Sequence, residues 1–303
     1  MNAAVDLEES YRLLHEGAVG RRTRRAVVRI AGPDARTYLQ GQCTQEVSDL
    51  AVGASRFALL LSVQGKIEAF VRVRALAQDE FLLDSDVGTG DAVFERLRRF
   101  KVRVKADLEL DELPAIALRG PGVLAPAERP GALVLPAFAR PGNVGVDLLG
   151  PDAVLPDGVA LGAEEAFAAT RIEAGIPEMG AELDATTIPF EAGIVAETTS
   201  FTKGCYTGQE LIARLDARGA NVARRLRGVL CPPGPPEHLP AVGSELVVAG
   251  KTVGRLTSVA WSPRSGSAVA LAYVQRAVEP PAAGELAGVD AAVRIAALPL
   301  VEA

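Results

Sequence analysis

The sequence predicts an α+β protein in which antiparallel sheets are packed by helices and a small all-β module closes the chain. Three observations predict it. Residues 57–84 hold three consecutive runs in which apolar and polar side chains alternate, separated by short turns, as in a meander of strands. Runs with helical spacing and acidic first turns stand before and after them. Beyond the proline cluster "CPPGPPEHLP" (231–240) only short alternating runs divided by glycines remain, which suits a small barrel or sandwich.

The elements follow in order. "MNAAVDLEESYRLL" begins an amphipathic helix containing Leu13 and Leu14, and "RAVVRIAG" (25–32) has the alternation and glycine stop of a strand. "GPDARTYLQGQ" (32–42) opens as a helix, with Pro33 early and Asp34 in the first turn, and should end at Gly41. Strands follow at "FALLLSV" (57–63), "IEAFVRVRAL" (67–76) and "EFLLD" (80–84), then a helix at "DAVFERLRRF" (91–100). Residues 121–160 are rich in proline and glycine and hold only short strands. "GAEEAFAATRIEAG" (162–175) is a helix with Gly175 as its C-cap. No internal repeat supports a solenoid.

Composition narrows the function classes. Of 303 residues 49% are hydrophobic and 23% charged, as in a folded globular protein. No apolar run approaches the roughly 20 residues of a membrane helix, and the acidic N-terminus is unlike a signal peptide, so the expected setting is cytoplasmic. Cys43, Cys205 and Cys231 are an odd and scattered set, and His15 and His238 lack partners at ligand spacing. Neither a disulfide framework nor an intrinsic metal site is expected. The net charge of −6 argues against direct nucleic-acid binding. The basic stretches "RRTRR" (21–25) and "RLRRFKVRVK" (96–105) read as solvated faces of secondary structure.

One stretch carries chemistry. In "FTKGCYTGQELIAR" (201–214), Gly204 and Gly208 allow a tight turn, and "QELIARLDA" continues as a helix. Cys205 thus lies just before a helix N-terminus, with Lys203 two residues away, a setting that favours a thiolate. Such a thiol serves as nucleophile, redox group or single metal ligand, or is merely packed in its turn. Cys43 and Cys231 read as small buried hydrophobes.

Four segments together resemble one family: "YLQGQCTQEVSDLAVG" (38–53), "LLLSVQGKI" (59–67), "RIEAGIPEMGAELDATTIPFEAGI" (171–194) and "FTKGCYTGQELIARLDARG" (201–219). They are similar, in this order, to the YgfZ-type folate-binding proteins, relatives of the glycine-cleavage T-protein, an aminomethyltransferase. Lys203, Gly204, Cys205, Tyr206, Gly208, Gln209 and Glu210 match the family's K-G-C-Y-x-G-Q-E motif. The resemblance implies a multi-domain T-protein-like fold around a central opening, with a C-terminal β-barrel. It divides the chain into an α+β part at 1–120, a second with the cysteine motif at 121–225, the two interleaved, and the barrel at 226–303. It also implies tetrahydrofolate or a one-carbon derivative as cofactor, Cys205 as the functional thiol, and iron-sulfur client enzymes or assembly factors as partners, with an indirect effect on tRNA modification.

Two departures from the T-protein bear on activity. Where that protein carries its strand acids, in a stretch resembling "GGVIDDLI", this chain reads "GKIEAFVR", placing Ala69 and Phe70 at those positions. Neither side chain transfers a proton, and Glu68 belongs to the opposite strand face. The folate-contacting segment is reduced to "RPGNVGVD" (140–147), in which Asp147 still offers a carboxylate to a pterin's N–H groups. Glu191 in "IPFEAGI" is a second contact or a capping acid. The reading is a folate-binding protein for iron-sulfur maintenance without evident turnover of its own. The alternative is a folate-dependent aminomethyltransferase or related one-carbon transferase, and a third class is an RNA-binding module.

Overall fold

The computed structural model describes residues 3–287 and 289–300. The chain forms two compact units, each assembled from separated segments: residues 24–114 with 178–222, and residues 1–23 with 115–177 and 223–303. Two long strands, β1 (Val19–Ala31) and β5 (Asp107–Arg119), pass from one unit into the other.

In the first of these units β2 (Ser55–Leu61), β3 (Ile67–Ala77), β4 (Glu80–Asp86) and the second half of β1 pair antiparallel in that order. The period of two sends Ala69, Val71, Val73, Leu60, Leu83 and Ile30 to one face, all buried. Helices α2 (Ala35–Gln42) and α3 (Gly90–Phe100) cover that face with Tyr38, Leu39, Val93 and Leu97. The other face is polar and aromatic. There Arg72, 1% exposed, grips Asp84 through Nε and Nη2 at 2.8 and 2.9 Å, and Arg25 reaches the same carboxylate at 2.9 Å. Phe57 and Phe70 stack at 5.6 Å beside them. This unit also holds the short helices α5 (Pro189–Ala192) and α6 (Val195–Thr198), then α7 (Gln209–Ala217).

In the other unit β9 (Arg224–Pro233), β10 (Glu245–Val248), β11 (Lys251–Ser262), β12 (Ser267–Gln275), β13 (Ala282–Leu286) and β14 (Val289–Ala296) close into a barrel ordered β10-β11-β12-β9-β14-β13. Closure removes the exposed edges that short strands otherwise present. Helix α1 (Leu7–Glu16), capped by the Asp6 carboxylate on the Glu9 N–H, and α4 (Glu164–Ala174), ended by Gly175 at φ +69°, pack on it. Glu173 of α4 is 4% exposed and accepts hydrogen bonds from the hydroxyls of Tyr11 on α1 and Ser262 on β11. The end of β5 pairs with β7 (Gly145–Leu149), which pairs with β6 (Leu133–Pro136), and β8 (Ala160–Leu161) joins the start of β1 in parallel.

The structure is thus the α+β, barrel-terminated fold the sequence predicts, with differences in detail. β1 begins six residues before the expected start, so "RRTRR" lies within a strand, where Arg21, Arg24 and Arg25 each meet a carboxylate. Helix α2 continues past Gly41 to Gln42, and β5, α5 and α6 have no counterpart in the sequence reading. Among the described residues no helix is long and apolar enough to cross a membrane.

Breaking the buried Arg72–Asp84 pair from one side should cost far more than replacing it. Asp84→Ala is expected to destabilise the chain by about 3–5 kcal/mol in urea unfolding, because a charge is then buried without its counter-ion. The joint replacement Arg72→Met with Asp84→Leu is expected to recover most of that loss.

Candidate functional site

Cys205 is exposed and stands in the turn that leads into α7. The residues around it are held by the C-terminal end of α2. A helix leaves its last carbonyls without intrahelical donors, and here the cysteine turn supplies them. The Lys203 ammonium donates to the carbonyls of Gln40, Cys43 and Gln45 at 2.7, 2.7 and 2.8 Å, and the Thr207 N–H donates to the Gly41 carbonyl at 3.1 Å. A cation at this helix end also suits the dipole. Cys205 is therefore the middle residue of an arch, 203–207, with both feet on one helix terminus.

The arch is closed further along by two glycines. Gly208 adopts φ +84°, and a Cβ there would lie 2.4 Å from the Ser62 carbonyl oxygen. Gly65, in the turn between β2 and β3, has φ +75°, and its added Cβ would lie 2.7 Å from Leu211 Cβ. Each position needs glycine for conformation and for space. Gly204 differs: a Cβ there would meet open space. Of the two glycines the sequence singles out, only Gly208 is required by packing. Gln209 accepts the Tyr206 N–H through Oε1 at 3.1 Å, bracing the turn, and Glu210 is exposed in the first turn of α7.

Gln42, the last residue of α2, is held in turn by Arg96, which is 3% exposed. Its guanidinium meets Glu68 Oε2 at 2.6 Å, Gln42 Oε1 at 2.8 Å and the Leu61 carbonyl at 3.0 Å, over the Phe100 ring at 3.9 Å. It ties α2, β2, β3 and α3 into one support. The basic run 96–105 reads as a solvated face, and helical spacing from Val93 and Leu97 carries no sign that Arg96 is buried.

Lys203 is spent on the backbone. Its three N–H groups are spent on carbonyl oxygens, with the Tyr206 ring 5.3 Å from Nζ, and burial holds its pKa below the ordinary lysine value. Cys43, fully buried beside those carbonyls, is an inert core thiol, pushed up by burial to about 11. Burial likewise raises Cys231.

The acid positions are settled by the same register. Ala69 is buried in the core and Phe70 packs on Phe57, while Glu68 is engaged by Arg96. Asp147, on β7 in the other unit, pairs with Arg119 of β5 at 2.9 Å. Glu191 is buried and accepts the Ile188 N–H at 3.3 Å, closing the first turn of α5. Among the described residues no group of three or more His, Cys, Asp or Glu side chains is placed to hold a metal ion.

Two measurements check the thiol assignments. Brief alkylation at pH 8 followed by peptide mass spectrometry is expected to label Cys205 and leave Cys43 unmodified. Because the folded value of Cys43 is raised above its ordinary value near 9, the stability this thiol contributes is complete below about pH 9 and is lost as pH rises toward about 11. Cys43→Ala should accordingly lose less stability than wild type between pH 9 and 11 in urea titrations.

Comparison with known proteins agrees with this architecture. Residues 23–125 match the GCVT N-terminal domain and residues 224–302 the glycine cleavage T-protein C-terminal barrel domain. The human mitochondrial iron-sulfur cluster assembly factor IBA57 is 31% identical over 256 residues, covering 76% of this chain and 71% of that protein. The tRNA-modifying protein YgfZ of Pectobacterium carotovorum subsp. carotovorum is 30% identical over 245 residues, covering 73% of this chain and 72% of that one. The crystal structure of glycine cleavage system aminomethyltransferase T from Bartonella henselae shares the fold, with a TM-score of 0.80 over 97% of this chain and 89% of that one at 22% identity. Two matched T-protein domains, a shared fold and these relatives lead to one conclusion: the chain belongs to the YgfZ-type branch of the glycine-cleavage T-protein, or aminomethyltransferase, superfamily.

Proposed function

We propose that this chain binds tetrahydrofolate or a one-carbon derivative and supports the assembly or maintenance of iron-sulfur enzymes, to which it presents the Cys205 thiol. Effects on tRNA modification would follow through those enzymes rather than through direct RNA contact. The observation that carries the reading is the arch: a single exposed thiol held at both ends by partly buried hydrogen bonds to one helix terminus. A thiol so placed is available to a sulfur species, a cluster or a client cysteine. The names of the human and Pectobacterium relatives support the same assignment.

Folate suits the residues present in kind. Asp147 is a carboxylate held in place by Arg119, of the type that accepts paired N–H bonds from a pterin ring. Asp147 is the proposed ring contact, whereas the Glu191 carboxylate closes the first turn of α5 and serves as a capping acid. When bound, the folate would supply a carrier for one-carbon units. On this strand no free acid stands ready for the proton transfer that aminomethyl transfer needs: Ala69 and Phe70 have no ionisable group, and Glu68 and Asp84 are held in ion pairs with arginines. That weighs against the transferase alternative.

Calorimetric titration with tetrahydrofolate tests the folate half. Wild type is expected to bind saturably, Asp147→Ala to bind at least about tenfold more weakly, equivalent to 1.4 kcal/mol, and Cys205→Ala to bind as wild type does. No binding by wild type would remove folate from the proposal. Stoichiometric consumption of an aminomethyl donor that survives Cys205→Ala would establish the transferase instead.

A further inference from the structure

The exposed thiol raises the question of what holds it in place, and the answer deepens the functional reading on which it rests. We propose that Lys203 is the positioning residue for Cys205, acting through the three carbonyls it binds at the end of α2 and not through its charge on the sulfur.

An ammonium has three N–H donors directed tetrahedrally, and the carbonyls of Gln40, Cys43 and Gln45 take one each at 2.7–2.8 Å. No donor is left over for a thiolate. The acceptors sit on both sides of the helix end, two at or before the Cys43 C-cap and one beyond it, so a single point donor draws the helix terminus and the following loop together. The Thr207 N–H on Gly41 forms the second foot, and Gly208 against Ser62 prevents the arch from sliding along the helix end. Lys203 and Thr207 are partly buried, whereas Gly204 and Cys205 between them are exposed. The thiol is thus presented by a short span whose ends are fixed, so ordering it costs little conformational entropy when a partner engages it.

This geometry makes lysine and arginine non-equivalent. A guanidinium keeps the charge, yet its planar fork spreads its donors and does not converge on three carbonyls around one point. If charge acted on the thiol, arginine would serve; if the carbonyl clamp acts, arginine fails as methionine does.

The test uses the full chain with Lys203→Met, Lys203→Arg and Cys205→Ser. Amide hydrogen exchange is measured over residues 203–208 and over the β3 and α3 core. Each variant is also assayed for restoring iron-sulfur enzyme activity in cells deleted for this protein. Both Lys203 variants are expected to speed exchange at Tyr206 and Thr207 at least tenfold, leave core exchange at the wild-type rate, and support enzyme activity no better than Cys205→Ser. Wild-type behaviour of Lys203→Arg in both assays would overturn the clamp in favour of charge. Core exchange rising in step with the arch would overturn it in favour of general destabilisation. Full activity of Cys205→Ser would instead sink the thiol reading, and the exchange data would still decide whether Lys203 holds the arch.

Discussion

A helix that ends inside a protein must find donors for its last carbonyls, and α2 finds them in a segment 163 residues further along the chain. Much of the candidate site follows from that one requirement. The ammonium of Lys203 and the N–H of Thr207 satisfy Gln40, Gly41, Cys43 and Gln45, and in doing so fix the residues between them. Cys205 needs no contact of its own to be well placed. Its position is a consequence of backbone satisfaction on either side, which leaves the sulfur exposed while its supports are partly buried.

The same helix end is held from α3 by a different cation. Arg96 binds one carboxylate, one side-chain amide and one backbone carbonyl, and each of these belongs to a separate element. Hydrogen bonds to charged groups contribute about 1.5–3 kcal/mol each, so Lys203 and Arg96 both fasten the C-terminal end of α2, one to the cysteine turn and the other to β2, β3 and α3. The glycines at 65 and 208 complete the lock sterically: the β2–β3 turn and the cysteine turn approach so closely that neither tolerates a Cβ.

Much of this fold is legible in the sequence because it is local. The period-two runs of β2 to β4, the helix closed by Gly175 and the helix after Gly208 each carry their pattern within a few residues. β5 does not: "DLELDELPAIALR" puts charge on both faces of its first half, which is exposed, and only its second half is buried. The first half of β1 is hidden for the same reason, since its arginines are neutralised by carboxylates far away in sequence. The trans-capping of α2 leaves no periodic trace at all. What the sequence offered there was the motif itself, and the motif names Lys203 and Cys205 without saying that the lysine faces carbonyls and not the thiol.

The register of β3 leaves no ionisable group at positions 69 and 70. An acid on β3 at position 69 would point into the apolar core, where ionisation is costly, and the neighbouring position 70 is filled by an aromatic ring stacked on Phe57. Around that pair Asp84 is held by two arginines and Glu68 by a third, so the carboxylates nearest this stretch of strand serve the structure of the sheet. Around positions 69 and 70 this face keeps its carboxylates in ion pairs with arginines. The cysteine arch presents a single polarisable atom at a fixed place. Under the proposed function sulfur chemistry asks for that and for little more, because a partner would bring the cluster, persulfide or thiol with which the bond is made.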